Sequence, residues 1–121
     1  ADVVGAFIGA LERNDLDTAL GLVTSDVVYD NVPIGAVNGP DGIRSVLDGF
    51  LGSFDGIEWR IVHQVASSSI VMNERVDRFR RGDTWLELAV AGVFEVVDGR
   101  IRLWRDYFDL AAFQRTFAPP S

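Results

Sequence analysis

The stretch IEWRIVHQVASSSIVMNERVDRFRRGDTWLELAVAGVFEVVDGRIRLWRDYFDL, residues 57–110, decides the fold. It holds four long runs rich in β-branched and aromatic residues, at 57–66, 69–80, 84–97 and 100–110. Between them stand Ser67-Ser68, Arg81-Gly82-Asp83 and Asp98-Gly99. Asp-Gly is a strong hairpin signal, so the runs read as four consecutive strands joined by short turns.

Upstream of this stretch the period changes. Val3, Val4, Phe7, Ile8 and Leu11 recur at helical spacing behind Asp2, a plausible N-cap. Asn14-Asp15 interrupts that helix, and a second short one is expected over 17–23, with Leu16, Ala19, Leu20 and Val23 on its apolar side. A strand follows over 27–32, closed by Pro33, with a short strand around 36–38. Gly39-Pro40-Asp41 then opens a third helix carrying Ile43, Val46, Leu47, Phe50 and Leu51. Residues 111–117 make a last helical turn before a Pro119-Pro120 tail. Helices followed by a run of antiparallel strands indicate an α+β fold, expected as a single domain over 1–121. This order resembles the nuclear-transport-factor-2-like (NTF2-like, SnoaL-like) architecture. That resemblance implies a cone, in which a curved, mixed or antiparallel sheet packs on the N-terminal helices around a deep apolar pocket.

Composition narrows the functions. The chain has 121 residues, enough for one hydrophobic core, and a net charge of −7. That charge argues against nucleic-acid binding, which concentrates Lys and Arg. Arg78, Arg80 and Arg81 read as a solvated strand face. No apolar run approaches the roughly 20 residues of a membrane span. Ala1 is not an initiator Met, so the start reads as trimmed or processed, and the first residues resemble an amphipathic helix more than a signal peptide. There is no Cys, which excludes disulfides and thiolate chemistry and fits a cytoplasmic protein.

Polar groups interrupt the apolar strands at three places. Residues two apart share a strand face, so Tyr29 pairs with Asn31, and Arg75 with Asp77. Asp106 lies between Trp104 and Phe108 on one face. Burying such charges costs several kcal/mol unless they are paired or change protonation. Asp77 and Asp106 with Arg75 between them suit acid–base work. Two carboxylates in one low-dielectric site resist double ionisation, so one pKa rises while the arginine keeps the other charged. Plainer readings stay open: Arg75 and Asp77 as a surface ion pair, Asp106 facing solvent, Tyr29 as a core aromatic, Asn31 capping a turn.

His63, the lone histidine, has strand neighbours Ile61 and Val65 and reads as a half-buried packing position. One His and scattered carboxylates offer no metal-ligand spacing. Gly35, Gly39 and Gly42 do not form a phosphate loop. Trp59, Trp85 and Trp104 read as core or pocket lining.

Tyr-x-Asn on one strand, Arg-x-Asp on another and a later Asp make the chain resemble the limonene-1,2-epoxide hydrolase family over nearly its whole length. The resemblance implies an enzyme adding water to a hydrophobic epoxide, terpenoid, fatty or steroid-like, to give a vicinal diol. It implies Asp77 as the base acting on water and Asp106 as the acid protonating the epoxide oxygen. Arg75 bridges the two, and Tyr29 and Asn31 hold the water. Neither cofactor, metal nor covalent intermediate is then required. Strand parity, and position near the last helix, offer Val27, Leu86, Leu88, Trp104, Phe108 and Phe113 as pocket lining. Apolar alternation on an outer sheet face, with Ile101 and Leu103, suggests a homodimer. The alternatives are a ketosteroid-isomerase-like or polyketide-cyclase-like enzyme and a non-catalytic small-molecule-binding module. Such isomerases use a tyrosine from the first helix region, where this chain offers Phe7.

Overall fold

The last hairpin turns on Asp98 and Gly99, with φ of +51° and +76°, the left-handed pair that a two-residue turn between twisted strands requires. In the computed structural model, which describes residues 2–118, this turn joins β5 (Thr84–Val97) to β6 (Arg100–Tyr107). Before them come α1 (Asp2–Glu12), α2 (Leu16–Leu20), β1 (Val23–Asn31), β2 (Gly35–Asn38), α3 (Gly39–Gly52), β3 (Gly56–Ser67) and β4 (Ile70–Arg81). A short α4 (Leu110–Thr116) closes the described chain. The expected Pro119-Pro120 tail lies outside the described residues.

The strands form one sheet in the order β2-β1-β6-β5-β4-β3. All neighbours are antiparallel except β1 and β6, which run parallel. Register shifts interrupt β3 between Ile61 and His63, β6 at Arg102, opposite Glu95 and Val96, and β1 between Val23 and Val28. Such irregularities bend strands, and here they accompany a curved sheet. The helices fill its concave side: Val4, Phe7 and Leu11 of α1 and Ile43 and Leu51 of α3 are completely buried. Trp104 is the centre of that core, with Phe7 edge-on at 5.0 Å and Phe94 stacked at 6.3 Å. This is the α+β, NTF2-like fold.

Four local expectations change. Asp2 is the first helical residue of α1 and not its cap. The second helix ends at Leu20, and residues 24–26, read as a lead-in, already belong to β1. There the strong β formers Val23 and Val27 are both buried. Ile101 is fully buried and not on the outer face, because the extra residue Arg102 on β6, opposite Glu95 and Val96, resets the alternation and turns Ile101 inward. His63 is exposed, not half-buried. It lies on the distal half of the edge strand β3, where no helix covers the sheet, and it contacts Glu74 at 2.7 Å.

Candidate active site

Strand register brings the polar residues together. One lateral row crosses four strands: Asn73 on β4, Gly92 on β5, Asp106 on β6 and Asn31 on β1. Arg75 and Asp77 follow Asn73 at two-residue steps, so all three share the concave face of β4. The gap from β4 to β6 is two strand spacings, about 10 Å. Arg75 spans it above Gly92, where a side chain on β5 would otherwise stand.

The arginine is almost fully used. Its Nε donates to Asp77 Oδ1 at 2.9 Å, and Nη2 donates to Asp77 Oδ2 at 3.1 Å. The same Nη2 donates to Asp106 Oδ2 at 3.0 Å. Nη1 donates to Asn73 Oδ1 at 3.0 Å. The guanidinium carbon lies 5.2 Å from the centre of the Trp59 ring. Asp106 is held from behind as well, by Trp104 Nε1, which donates to its Oδ1 at 3.0 Å. Arg75 is 1% exposed and both carboxylates 4%, so these pairs work in a low-dielectric setting.

Burial pushes the Asp77 carboxyl up to about 6; Arg75 opposes the rise, while the charges of Asp106 and Glu12 add to it. Burial also raises Asp106, against the pull of Arg75 and the Trp104 N–H. Burial works against the Arg75 charge, but Asp106 and Asp77 outweigh it and keep the guanidinium protonated. Burial and the Asp106 charge hold the Tyr29 phenol neutral. Tyr29 stacks on Trp104 with ring centres 3.8 Å apart, which fixes its ring plane.

These groups form one end of a cavity of about 380 Å³. Tyr29, Asn31, Asp77 and Asp106 line it, and Arg75 stands behind the two carboxylates. Of the apolar residues expected there, Leu88, Phe108 and Phe113 line the cavity. Val27 and Trp104 do not. Both are completely buried in the core, since they lie deeper under the helices than parity alone reveals. Leu86 is not among the lining residues either; it is half-buried near the start of β5, where its partner Phe79 on β4 takes the place in the cavity wall. Sequence parity missed Phe50, Phe79 and Phe117, whose rings interlock at 5.2–5.4 Å to make the apolar wall. It also missed Asn73 and Gly92, whereas Trp59, read as core or pocket lining, does line the cavity. Asn73 was legible as the same-face neighbour of Arg75, and an isolated Gly inside a strand signals a close approach. Trp85, read as core or pocket, is 38% exposed under the Arg78 guanidinium. Among the described residues, no three His, Cys, Asp or Glu side chains group as a metal site.

Two carboxylic groups of raised pKa sharing one guanidinium at the end of an apolar pocket can hold one proton between them. One then accepts a proton while the other donates.

Comparison with known proteins points the same way. A family model described as the limonene-1,2-epoxide hydrolase catalytic domain matches residues 1–118. The chain is 39% identical to epoxide hydrolase EphG of Mycobacterium tuberculosis over 107 residues, covering 88% of this chain and 71% of the relative. It superposes on the structure of an M. tuberculosis LEH-like epoxide hydrolase with a TM-score of 0.82 at 36% identity, over 95% of this chain and 86% of the other. An NTF2-like protein of unknown function from Burkholderia pseudomallei matches at a TM-score of 0.83 but only 17% identity, over 98% and 96% of the two chains, and shares the fold alone.

Proposed function

This chain belongs to the limonene-1,2-epoxide hydrolase family, and on that premise we propose that it opens a hydrophobic epoxide with water in one step, using Asp77 as base and Asp106 as acid. The observation that carries the reading is the Arg75 bridge between the two carboxylates. The bridge is uneven. Asp77 receives a fork of two charge-assisted bonds, while Asp106 receives one, plus a neutral N–H from Trp104. The fork favours the anion on Asp77, so the shared proton rests on Asp106.

Atoms and charges then balance. A water held by Tyr29, Asn31 and Asp77 gives a proton to Asp77 as its oxygen bonds to a ring carbon. The ring C–O bond breaks, and the departing oxygen takes the proton of Asp106. The product is a vicinal diol, with Asp77 protonated and Asp106 ionised. Proton exchange between the two, or with solvent, resets the site. General acid and general base assistance each contribute about 10²–10⁴-fold, and positioning of the water adds to this. No covalent enzyme intermediate enters the scheme.

The cavity supports an apolar substrate. Its volume falls in the range of roughly 300–1,000 Å³ usual for small-molecule sites, and Phe50, Phe79, Leu88 and Phe113 supply its wall. Incubation with a panel of terpenoid, fatty and steroidal epoxides, with diol formation assayed, tests the reading. In ¹⁸O-water a single turnover should place the label in the diol and none in the protein. Label recovered on Asp77 or Asp106 would replace the one-step route with a covalent one. No diol from any member of the panel would remove the substrate class.

Within the same reading the chain works as a homodimer. Val65, Met72 and Tyr107 are 67%, 49% and 47% exposed on the outer side of the sheet, next to Ala91 and Val93. A second copy covering this face would remove them from water. Sedimentation showing only monomer at micromolar concentration would overturn that part.

A further inference from the structure

The Nε/Nη2 fork to Asp77 sets the plane of the Arg75 guanidinium from one edge, and a neutral residue holds the opposite edge. Nη1, the edge facing away from Asp77, donates to Asn73 Oδ1 at 3.0 Å. Asn73 is 4% exposed, and its own amide is oriented, with Nδ2 donating to Gln64 Oε1 at 3.2 Å across the β3–β4 ladder. That second bond fixes which end of the amide faces the arginine. Gly92 completes the arrangement: a Cβ there would run into Arg75 Nη1, and would stand 2.9 Å from Asn73 Oδ1 and 3.0 Å from Asp106 Oδ1. The strand beneath the guanidinium has no room for any side chain.

We infer that Asn73 is a positioning residue of the reaction, a neutral acceptor that holds the far edge of Arg75 in the plane of its fork to Asp77 and leaves the arginine's charge to Asp77 and Asp106 alone. The inference rests on the acid–base reading of this site and adds to it the source of the balance. One guanidinium charge matches one ionised carboxylate, so the cluster is neutral when the other keeps its proton. An aspartate at position 73 would satisfy the same hydrogen bond but add a second anion for Arg75 to neutralise, and the cluster would bind more protons. The charged and titratable groups facing the cluster are Asp77 on β4, Asp106 on β6, Tyr29 on β1 and Glu12 on α1, so among the described residues Asn73 is the one hydrogen-bond acceptor of Arg75 that carries no charge.

The test uses Asn73→Ala, Asn73→Asp and Gly92→Ala in the full chain. Asn73→Ala should lose about 10–100-fold in kcat with KM within about twofold, the split expected when a reacting group is misplaced by less than an ångström or so. Gly92→Ala, which leaves Asn73 in place, should show the same split. Asn73→Asp should move the pH–rate profile upward by about one unit, on both limbs where both are visible. Titration of the aspartate carboxyl carbons by NMR reads the same upward shift without any substrate. A protein inactive on epoxides but with shifted carboxyl titrations in Asn73→Asp would sink the functional reading and spare the role of Asn73. Unshifted titrations and wild-type kcat in the Asn73 variants, or a wild-type rate in Gly92→Ala, would overturn the role itself. Failure of both Asn73 variants to fold would also overturn it, because the residue would then be a determinant of folding.

Discussion

Arg75 Nη2 lies 3.1 Å from Asp77 Oδ2 and 3.0 Å from Asp106 Oδ2, one nitrogen shared by carboxylates from two strands that are not neighbours in the sheet. The bridge needs a planar fork, since Nε must reach Asp77 at the same time. A lysine carries the same charge on a single point and cannot make the three bonds together. Arg75→Lys should therefore lower kcat by about 100-fold or more while the chain still folds. Steady-state kinetics beside a circular-dichroism melt checks this. A loss of less than about threefold would show that charge alone suffices.

The Asp77 carboxyl, pushed up to about 6 by burial, sets the acid side of the pH dependence. A base must be ionised to accept a proton. kcat/KM should therefore be half-maximal near pH 6 and fall about tenfold per unit below it. A profile flat down to pH 4.5 would remove Asp77 from that role.

The same shift predicts a stability effect with a definite sign. A carboxyl group whose pKa is raised by folding binds its proton more tightly folded than unfolded. Its contribution is fully present below about pH 4 and is lost as pH rises through about 6. Asp77→Asn cannot ionise, so it should gain on the wild type by about 2 kcal/mol between pH 4 and pH 7. Urea denaturation of both proteins at the two pH values measures the difference. A difference that is constant, or that shrinks, contradicts the raised pKa.

How far the sequence revealed this site follows from what period two can and cannot report. Tyr29, Asn31, Arg75, Asp77 and Asp106 were visible because each breaks an apolar strand pattern, and a broken pattern has a physical cost. The strands carrying them were legible from β-branched runs and turn residues. Lateral register was not. Nothing in single-strand parity tells that Asn73, Gly92 and Asp106 stand in one row, because register comes from pairing across the sheet. Depth was equally hidden: Trp104 and Leu88 have the same parity sense, yet the first is fully buried under α1 and the second lines the cavity. Ile101 changed sides because the register shift near Val96 resets the alternation. The Phe wall draws on α3, β4 and the last turn, elements brought together only by sheet curvature.

Tyr29 separates packing from chemistry. Its ring stacks on Trp104 at 3.8 Å, and its hydroxyl sits at the polar end of the cavity. Tyr29→Phe keeps the stack and removes the hydroxyl. It should cost under about 1 kcal/mol in stability but about 10–100-fold in kcat. Trp104→Phe costs more stability, because it removes buried ring volume and the N–H to Asp106, for a loss of about 2 kcal/mol or more. Paired melts and kinetics on the two variants distinguish them. Equal effects on stability would mean that Tyr29 serves only as core.

Phe113 tests the apolar wall from its least structural side. It belongs to α4, a seven-residue helix with no buried residue, capped by Asp109 through the Ala111 and Ala112 N–H groups. The ring contacts Phe108 and Phe117 at 5.5 and 5.0 Å and faces the cavity. Little of the core depends on it, so Phe113→Ala should shift the melt by only a few degrees. The substrate loses one apolar face that it meets equally in the ground and transition states. KM for a bulky epoxide should therefore rise about 3–10-fold with kcat nearly constant, while a small epoxide that never reaches α4 should be unaffected. A fall in kcat with KM unchanged, for either substrate, would mean that this ring acts on the reacting groups and not on the bound apolar body.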